Sequence, residues 1–354
     1  MFTHEEVHVT TGRRSGLPIA IAVHSTALGP ALGGCRLWTY PDWRDGIEDA
    51  LRLSSAMTAK TALAGLANGG GKTVVALPPG THLDVDDRRA VLHDVGDAIE
   101  AFGGRYGTGP DVGTGVDDMV TIGERTDHVF CRPASHGGSG SSSPGTAAGV
   151  VAALRATVAH LSGPADPAEH SPQAPVEKSS FAVVGLGSVG ADVARRLAVA
   201  GARLVVSDVR PDAKALADEL GAEWVAPEEA LTAEVDVLVP AALGGVLTPA
   251  LVPQLRCRAV VGPANNQLAS PDVAGLLHDR GILWAPDYVA SAGGIVHAVA
   301  VELYREPEYV VAARIERIGE TLTEVYRMAA ESGVAPATAA EALVAAKLTQ
   351  ATHS

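Results

Sequence analysis

Cysteines and long apolar runs are scarce in this chain of 354 residues, and each scarcity excludes a class of protein. Its three cysteines, Cys35, Cys131 and Cys257, form no CxxC pair, so we expect no disulfide framework. No HExxH motif or carboxylate cluster has the spacing of metal ligands, and we therefore predict no metal site. No uncharged apolar run reaches membrane-spanning length, and the first ten residues lack the basic and then apolar pattern of a signal peptide. We expect a soluble, cytoplasmic protein that does not bind membranes.

Basic residues are also in short supply. There are 27 lysines and arginines against 41 aspartates and glutamates, which gives a formal net charge of −14. Because an acidic protein repels the phosphate backbone and no basic patch is present, we exclude broad nucleic-acid binding. Hydrophobic residues make up 47% of the chain and charged residues 19%, a balance typical of a folded globular protein. The length corresponds to about two domains, at roughly 150 residues per domain.

The sequence pattern changes near residue 140. Before it, apolar runs typical of strands lie among helix-like segments. A Pro-rich stretch at 162–180 is predicted to be a surface connector. After it, strands and helices alternate, which indicates an α/β fold with a parallel sheet and helices on both faces. The predicted strands of this part are 181–184, 203–207, 235–239, 259–261 and 282–284.

A glycine-rich turn follows the first of these strands. Gly185-Leu-Gly-Ser-Val-Gly190 fits the pattern GxGxxG, with an apolar strand before it and a predicted helix after it. Its glycines permit a tight turn that brings backbone N–H groups to a pyrophosphate at the helix N-terminus. Asp208 ends the next strand, where its carboxylate would accept hydrogen bonds from ribose hydroxyls and repel a 2′-phosphate. These residues predict a Rossmann-type domain that binds NAD rather than NADP, although Arg210 weakens that preference.

A second glycine cluster, Asn68-Gly-Gly-Gly-Lys-Thr73, precedes an apolar strand. A phosphate-binding P-loop follows its strand and needs a glycine where this chain has Leu66, so we reject nucleotide hydrolysis. Lys72 and Lys60 instead lie in weakly charged surroundings rich in Ala and Gly. A poorly hydrated amine there favours its neutral form and suits a base near neutral pH. Asp111 lies between glycines in Thr108-Gly-Pro-Asp-Val-Gly-Thr114, and a role as a turn-forming residue is its simpler alternative.

Taken together, these motifs resemble the Glu/Leu/Phe/Val amino-acid dehydrogenase family, and in particular its NAD-dependent branch for hydrophobic amino acids. The matching segments are HSTALGPALGGCR (24–36), GGGK, TGPDVGT, SPGTAAGV (143–150), PAALGGVL (240–247), ANNQL (264–268) and APDY…AGG (285–294). The resemblance implies two α/β domains with a cleft between them. One is a doubly wound NAD-binding domain at 146–321, and the other is a discontinuous substrate-binding and oligomerisation domain at 1–145 plus 322–354.

The chemistry implied by the resemblance is reversible oxidative deamination of an L-amino acid to a 2-oxo acid and ammonia, with NAD as hydride acceptor. Lys72 matches the catalytic lysine that activates water, and Asp111 matches the aspartate that exchanges protons with the substrate nitrogen. Lys60 matches the lysine that pairs with the substrate carboxylate. The other implied substrate-binding positions are Gly33, Gly34, Gly109, Ser291 and Val296. The implied cofactor-binding positions are Thr146, Gly185, Gly187, Ser188, Val189, Gly190, Asp208, Ala241 and Asn265.

The preferred amino acid stays open between valine or leucine and phenylalanine. HSTALGPALGG and GGRY (103–106) most resemble valine dehydrogenases, whereas TGPD resembles phenylalanine dehydrogenases, in which Gly109 would leave room for a larger side chain. Three residues depart from the family pattern: Ser291 replaces the usual Asn, Ala241 the usual Cys, and Pro263 removes a backbone donor. A non-catalytic NAD-binding relative, or a dehydrogenase with a shifted substrate range, is the alternative. The resemblance also implies a homo-oligomer that acts on small molecules.

Overall fold

The computed structural model describes residues 3–163 and 174–352, so residues 164–173 of the predicted connector lie outside the described part. The chain divides into two units, each with its own sheet. The first unit comprises Met1–Ser142, Ala298–Glu306 and Val344–Ser354, and the second comprises Ser143–His297 and Pro307–Leu343. Within the described ranges, no helix combines the length and the apolar character needed to cross a membrane.

The first unit is built on a five-stranded mixed sheet. Its elements, in chain order, are β1 (Glu6–Thr11), β2 (Pro18–Ser25), β3 (Ala31–Thr39), α1 (Trp43–Leu63), β4 (Gly69–Leu77), α2 (Val85–Glu100), β5 (Tyr106–Pro110) and α3 (Val116–Gly123). The strand order is β1-β2-β4-β3-β5. The β1–β2 and β2–β4 pairs are antiparallel, while β3 lies between β4 and β5 and is parallel to both.

Helices cover both faces of this sheet. Residues of α2 and α3 such as Val95 and Ile122 form a large apolar core with Ile21 and Val75 of the sheet. On the opposite face α1 packs through small side chains, and Ala50 meets residues of β2 and β4. The helix begins at a capping box, in which the Asp42 side chain accepts from backbone N–H groups and Asp45 bonds back to the backbone of Asp42.

The second unit contains a six-stranded sheet in which every pair is parallel. Its elements are α4 (Ser143–Ser162), α5 (Ala174–Glu177), β6 (Ser180–Val184), α6 (Ser188–Val199), β7 (Arg203–Ser207), α7 (Lys214–Leu220), β8 (Glu223–Trp224), α8 (Pro227–Leu231), β9 (Val237–Pro240), β10 (Ala259–Val260), α9 (Val273–Asp279), β11 (Leu283–Trp284), α10 (Asp287–Ala290), α11 (Gly293–Ala298), α12 (Glu308–Ser332) and the first part of α13 (Pro336–Thr352). Short 3₁₀ turns of this unit lie at Pro211–Ala213 and Val252–Gln254, whereas a 3₁₀ turn at Ala134–His136 and a π-helical turn at Val299–Leu303 belong to the first unit.

The order of these strands is β11-β10-β9-β6-β7-β8. Counted from β6 as the first strand, this is the 3-2-1-4-5-6 order of doubly wound dinucleotide-binding folds. The predicted α/β fold with a Rossmann-type domain is therefore confirmed. The strand order reverses between β6 and β9, and ligands of such sheets bind beyond the carboxyl ends of the strands at that point.

The boundary of the second unit differs from the expected one at the C-terminal end. Residues 322–343, expected in the first domain, belong to the second unit because α12 packs along α4. Gly149 of α4 permits this packing, since a Cβ there would lie 2.7 Å from Cδ1 of Ile318 in α12. Because the apolar face of α12 is buried against α4 along its length, the whole helix belongs to the second unit.

Candidate active site

The glycine-rich turn lies between β6 and α6, where the sequence places it. Gly185 has a φ of 106°, which favours glycine. A Cβ on Gly190 would lie 2.0 Å from the carbonyl oxygen of Gly185, so this glycine permits close packing of α6 on the strand. Gly187 is exposed at the N-cap of α6, and a Cβ there would have nothing within 4 Å. The open space at the helix N-terminus fits a pyrophosphate.

Asp208 directly follows β7 beside this turn. Its Oδ2 accepts the N–H of Leu186 at 2.7 Å, and its Oδ1 accepts the N–H of Arg210 at 2.8 Å. Burial opposes ionisation of this carboxyl, but these hydrogen bonds and the Arg210 charge outweigh it and lower the pKa of Asp208. The Arg210 side chain lies against Asp208, with Nε 3.2 Å from Oδ1. The strand end therefore presents an anion that repels a 2′-phosphate, which fits NAD.

The remaining cofactor positions predicted from the sequence also lie in the second unit. Thr146 is in the first turn of α4, and Ser188 and Val189 begin α6, where Oγ of Ser188 lies 3.0 Å from Oγ of Ser143. Ala241 follows β9 and packs against the glycine turn, since its Cβ would lie 3.0 Å from a Cβ on Gly190.

Ser291 keeps a link to one of these positions despite replacing the usual Asn. Its Oγ lies 3.5 Å from Oδ1 of Asn265, which is exposed after β10. Ser291 and Val296, both predicted to bind substrate, are buried in the second unit.

We expect the two glycines of the turn to separate cofactor binding from folding. Gly190→Ala should lower the free energy of unfolding by about 1–3 kcal/mol, because its methyl group meets a backbone oxygen. Gly187→Ala should leave unfolding unchanged and weaken NAD binding at least about tenfold, because the methyl group enters the space for the pyrophosphate. Urea denaturation and NAD titration measure the two effects.

Gly275→Ala is the matched control for both variants. Gly275 is exposed on α9, and a Cβ there would also meet nothing within 4 Å. NAD affinity should not change in this variant, and the helix should gain slightly in stability. Unchanged NAD affinity in Gly187→Ala would contradict the assignment of the open space to the cofactor.

Lys72 and Asp111 meet in the first unit, although 38 positions lie between them in the chain. Nζ of Lys72 on β4 lies 2.8 Å from Oδ2 of Asp111, which follows β5. Gly34 on β3 lies between them, and a Cβ there would be 2.7 Å from Cβ of Asp111 and 3.2 Å from Nζ of Lys72. The pair can therefore form across the central strand only because Gly34 has no side chain. Lys72 is 5% exposed, but its surroundings are not weakly charged as the sequence predicted, because Nζ pairs with the Asp111 carboxylate.

Arg36, which the sequence analysis did not single out, also contacts Asp111. Its Nε donates to the same Oδ2 of Asp111 at 2.8 Å, and its Nη1 donates to Oδ2 of Asp49 in α1 at 2.8 Å. Burial opposes ionisation of Asp111, but the charges of Lys72 and Arg36 outweigh it and lower the pKa of Asp111 to about 2. Arg36 could have been predicted from the alternation of side chains along a strand, because residues two apart share a face and Gly34 is two residues before Arg36.

The glycines before Lys72 permit close packing on β4. They lie inside β4, and a Cβ on Gly70 would be 2.1 Å from the backbone nitrogen of Thr58 in α1. A Cβ on Gly71 would be 2.5 Å from the ring of Tyr106. The glycine run therefore lets a helix and an aromatic ring pack tightly on the strand that carries Lys72. This placement within a strand agrees with the rejection of a P-loop.

Lys60 and Gly33, two further predicted substrate residues of this unit, lie on neighbouring elements. Lys60 is in the last turn of α1, the helix that covers the Arg36 face of the sheet. A Cβ on Gly33 would lie 1.8 Å from the carbonyl oxygen of Gly71, so the approach of β3 to β4 requires glycine there.

The space beside Gly109 is filled, contrary to the expectation from the sequence. A Cβ on Gly109 would lie 2.5 Å from Cε2 of Phe130, a buried residue that is 8% exposed. Phe130 is held there because its N–H donates to the carbonyl oxygen of Thr108 at 2.9 Å. The room that the sequence predicts beside Gly109 for a larger substrate side chain is thus occupied by Phe130 in this structure, and the preferred amino acid stays a prediction.

A domain of this strand order, with a glycine turn and an acidic strand end, binds a dinucleotide whose nicotinamide exchanges hydride. The chain is thus an NAD-dependent oxidoreductase. Residues 1–128 match the model of the Glu/Leu/Phe/Val dehydrogenase dimerisation domain, and residues 208–354 match that of Glutamate/Leucine/Phenylalanine/Valine dehydrogenase. Residues 154–244 match the NAD binding domain of D-isomer specific 2-hydroxyacid dehydrogenase.

Individual proteins resemble the chain over most of its length. It is 38% identical to leucine dehydrogenase of Bacillus cereus over 100% of the chain and 93% of that protein. It is also 38% identical to phenylalanine dehydrogenase of Lysinibacillus sphaericus, over 92% of the chain and 84% of that protein. The structure of L-tryptophan dehydrogenase from Nostoc punctiforme superposes with a TM-score of 0.81 at 32% identity, covering 99% of this chain and 98% of that one. The chain belongs to the Glu/Leu/Phe/Val dehydrogenase family and is an amino-acid dehydrogenase, which confirms the resemblance of its motifs.

Proposed function

We propose that the protein catalyses reversible oxidative deamination of a hydrophobic L-amino acid, with Lys72 and Asp111 as its catalytic residues. The single observation that supports these roles best is the buried pair that they form at 2.8 Å across Gly34. An amine in such a pocket can act as a base, and a carboxylate beside it can relay protons. A protein that only senses NAD has no need of this pair.

The chain's own residues divide the reaction between them. NAD supplies the acceptor for the hydride that leaves the α-carbon. Asp111, ionised because its pKa is lowered to about 2, accepts a proton from the substrate ammonium group. Lys72 takes a proton from the water that attacks the resulting iminium carbon. Asp111 then returns a proton to the nitrogen and ammonia leaves, while the freed Asp111 carboxylate takes the proton of the carbinolamine hydroxyl, so that the 2-oxo acid forms. Lys60 pairs with the substrate carboxylate and orients the α-carbon.

The substrate that the first unit favours is an aliphatic amino acid, because Phe130 fills the space beside Gly109. The equal identity to a leucine and a phenylalanine dehydrogenase does not choose between the two classes. We further propose that the first unit binds substrate and associates with other copies, in line with its match to a dimerisation domain, and that the oligomer works in the cytoplasm.

The proposed function is tested by following NADH formation at alkaline pH with a panel of L-amino acids. Valine, leucine and isoleucine should give the highest kcat/KM, followed by phenylalanine, and glutamate should give the lowest. The matching 2-oxo acids with ammonia and NADH should run the reaction in reverse. Absence of turnover with every amino acid of the panel would contradict the proposal, whereas NAD binding without turnover would favour the non-catalytic alternative.

Phe130→Ala should shift this preference towards aromatic substrates. Removing the ring opens the space beside Gly109, so the ratio of kcat/KM for phenylalanine to that for valine should rise about tenfold or more. Phe130→Leu, which removes less volume, should give an intermediate ratio. The ratio is an internal control for the loss of stability that truncation of a buried ring causes. An unchanged ratio would place the substrate side chain elsewhere.

A further inference from the structure

We propose that Arg36 is a positioning residue of the catalytic pair, which holds the carboxylate of Asp111 and places a permanent positive charge beside Lys72. The proposal rests on the proposed function, because it assigns Arg36 a part in the same proton transfers. It goes beyond the roles implied by the family resemblance, in which Arg36 has none.

The guanidinium of Arg36 joins two carboxylates from different elements. Nε donates to Asp111 and Nη1 donates to Asp49, each at 2.8 Å, and the side chain is 16% exposed. A guanidinium is planar, stays charged and donates in fixed directions, so two partners define its orientation. Arg36 therefore ties the residue after β5 to helix α1.

The outer end of this link is itself anchored. The hydroxyl of Tyr40 donates to Oδ2 of Asp49 at 2.7 Å, and the guanidinium of Arg52 bonds the other oxygen. Burial opposes ionisation of Asp49, but these hydrogen bonds and the Arg36 charge outweigh it and lower the pKa of Asp49. Asp49 is an anion held by hydrogen bonds from Tyr40 and Arg52, and it therefore keeps Arg36 in place while Asp111 exchanges protons.

The ionisable groups that interact electrostatically with Asp111 include Lys72 from β4, Arg36 and Cys35 from β3, and Tyr106 from β5. Burial raises the pKa of the Cys35 thiol to about 12 and that of Tyr106 above its ordinary value, so both stay neutral at the pH of an assay. Lys72 and Arg36 therefore share the negative charge of Asp111.

Because Arg36 and Lys72 pair with the same oxygen of Asp111, Arg36 affects proton transfer by the catalytic pair. If Arg36 were absent, the Asp111 carboxylate would keep one cationic partner instead of two and would hold an added proton more strongly. The permanent charge of Arg36 opposes that proton and so extends the range in which the pair can act as a base. It also keeps the Asp111 carboxylate aimed at the reacting nitrogen.

Three variants test the assignment through pH profiles of kcat. Arg36→Gln should move the midpoint of the rise in activity upward by about one pH unit and lower kcat about 10- to 100-fold, while NAD affinity stays unchanged. Arg36→Lys keeps the positive charge but lacks the planar guanidinium that bonds two carboxylates at once. Its pH midpoint should therefore equal that of the wild type, while its kcat should be only partly recovered relative to Arg36→Gln. Arg44→Gln is the matched control, since Arg44 is an exposed arginine of α1 that pairs with Asp42 and not with Asp49 or Asp111, and its profile should equal that of the wild type.

Two outcomes would overturn the assignment. A midpoint in Arg36→Gln equal to that of the wild type shows a purely structural residue, whatever the loss of stability. The second readout needs no turnover: in a crystal structure of Arg36→Gln, the Asp111 carboxylate should have turned from its wild-type position, and an unmoved carboxylate refutes the positioning role. A wild type that deaminates no amino acid contradicts the proposed function, while the variant structure still tests the contact.

Discussion

Lys72→Ala is expected to lower kcat for oxidative deamination by about 10³-fold or more, within the range for loss of a general base. The reason is the position of Lys72, a residue that is 5% exposed and whose Nζ lies 2.8 Å from Oδ2 of Asp111, the proposed partner in proton transfer. NAD affinity should not change, because the glycine turn and Asp208 belong to the other unit. NADH absorbance measures turnover, and a titration of protein fluorescence measures NAD binding.

Two further measurements make the Lys72 result specific. Small primary amines added to Lys72→Ala should restore part of the activity, since they can enter the space that the side chain leaves. Lys214→Ala is the control, because Lys214 is an exposed lysine on α7 that pairs with Asp218. Full activity in Lys72→Ala would show that another group is the base, and loss of the folded far-UV spectrum would call for Lys72→Met, which preserves the volume.

Asp111→Asn is expected to produce the second large loss, about 10²- to 10⁴-fold in kcat, because the amide cannot accept a proton from the substrate. The change keeps the shape of the side chain and removes the charge that Lys72 and Arg36 share. Asp117→Asn, an exposed acid at the start of α3, is the control and should retain activity. If Asp111→Asn kept more than a tenth of the wild-type kcat, proton relay by Asp111 would be refuted.

The same variant should change how stability depends on pH. The pKa of Asp111 is lowered from 3.8 to about 2 in the folded state, so its ionisation stabilises the fold above about pH 4. That contribution, roughly 2 kcal/mol, is lost as the pH falls from 4 towards 2. The difference in unfolding free energy between wild type and Asp111→Asn should therefore shrink over this range. Urea denaturation at several pH values measures it, and a constant difference would show that the pKa is not lowered.

Several features of the fold follow from neighbours in the chain, and these were predictable. The strand, turn and helix around Gly185 and Gly190 form within a short segment, and Asp208 ends the next strand. Hydrophobic periodicity and turn chemistry act at this range, so the nucleotide half could be predicted in both fold and cofactor. The first half has no such local fingerprint, and its site residues were predicted through the family resemblance.

By itself, the sequence determined the α/β class and the NAD-binding domain, while the family resemblance of its motifs pointed to Lys72 and Asp111, the two residues that we assign to catalysis. Only the tertiary structure showed why these residues meet, because strands β4, β3 and β5 are neighbours in an order that differs from the chain order. It also brought Arg36 to Asp111 and the Phe130 ring against Gly109. Such contacts depend on strand order and on where a glycine leaves space, and both arise from the packing of residues far apart in sequence.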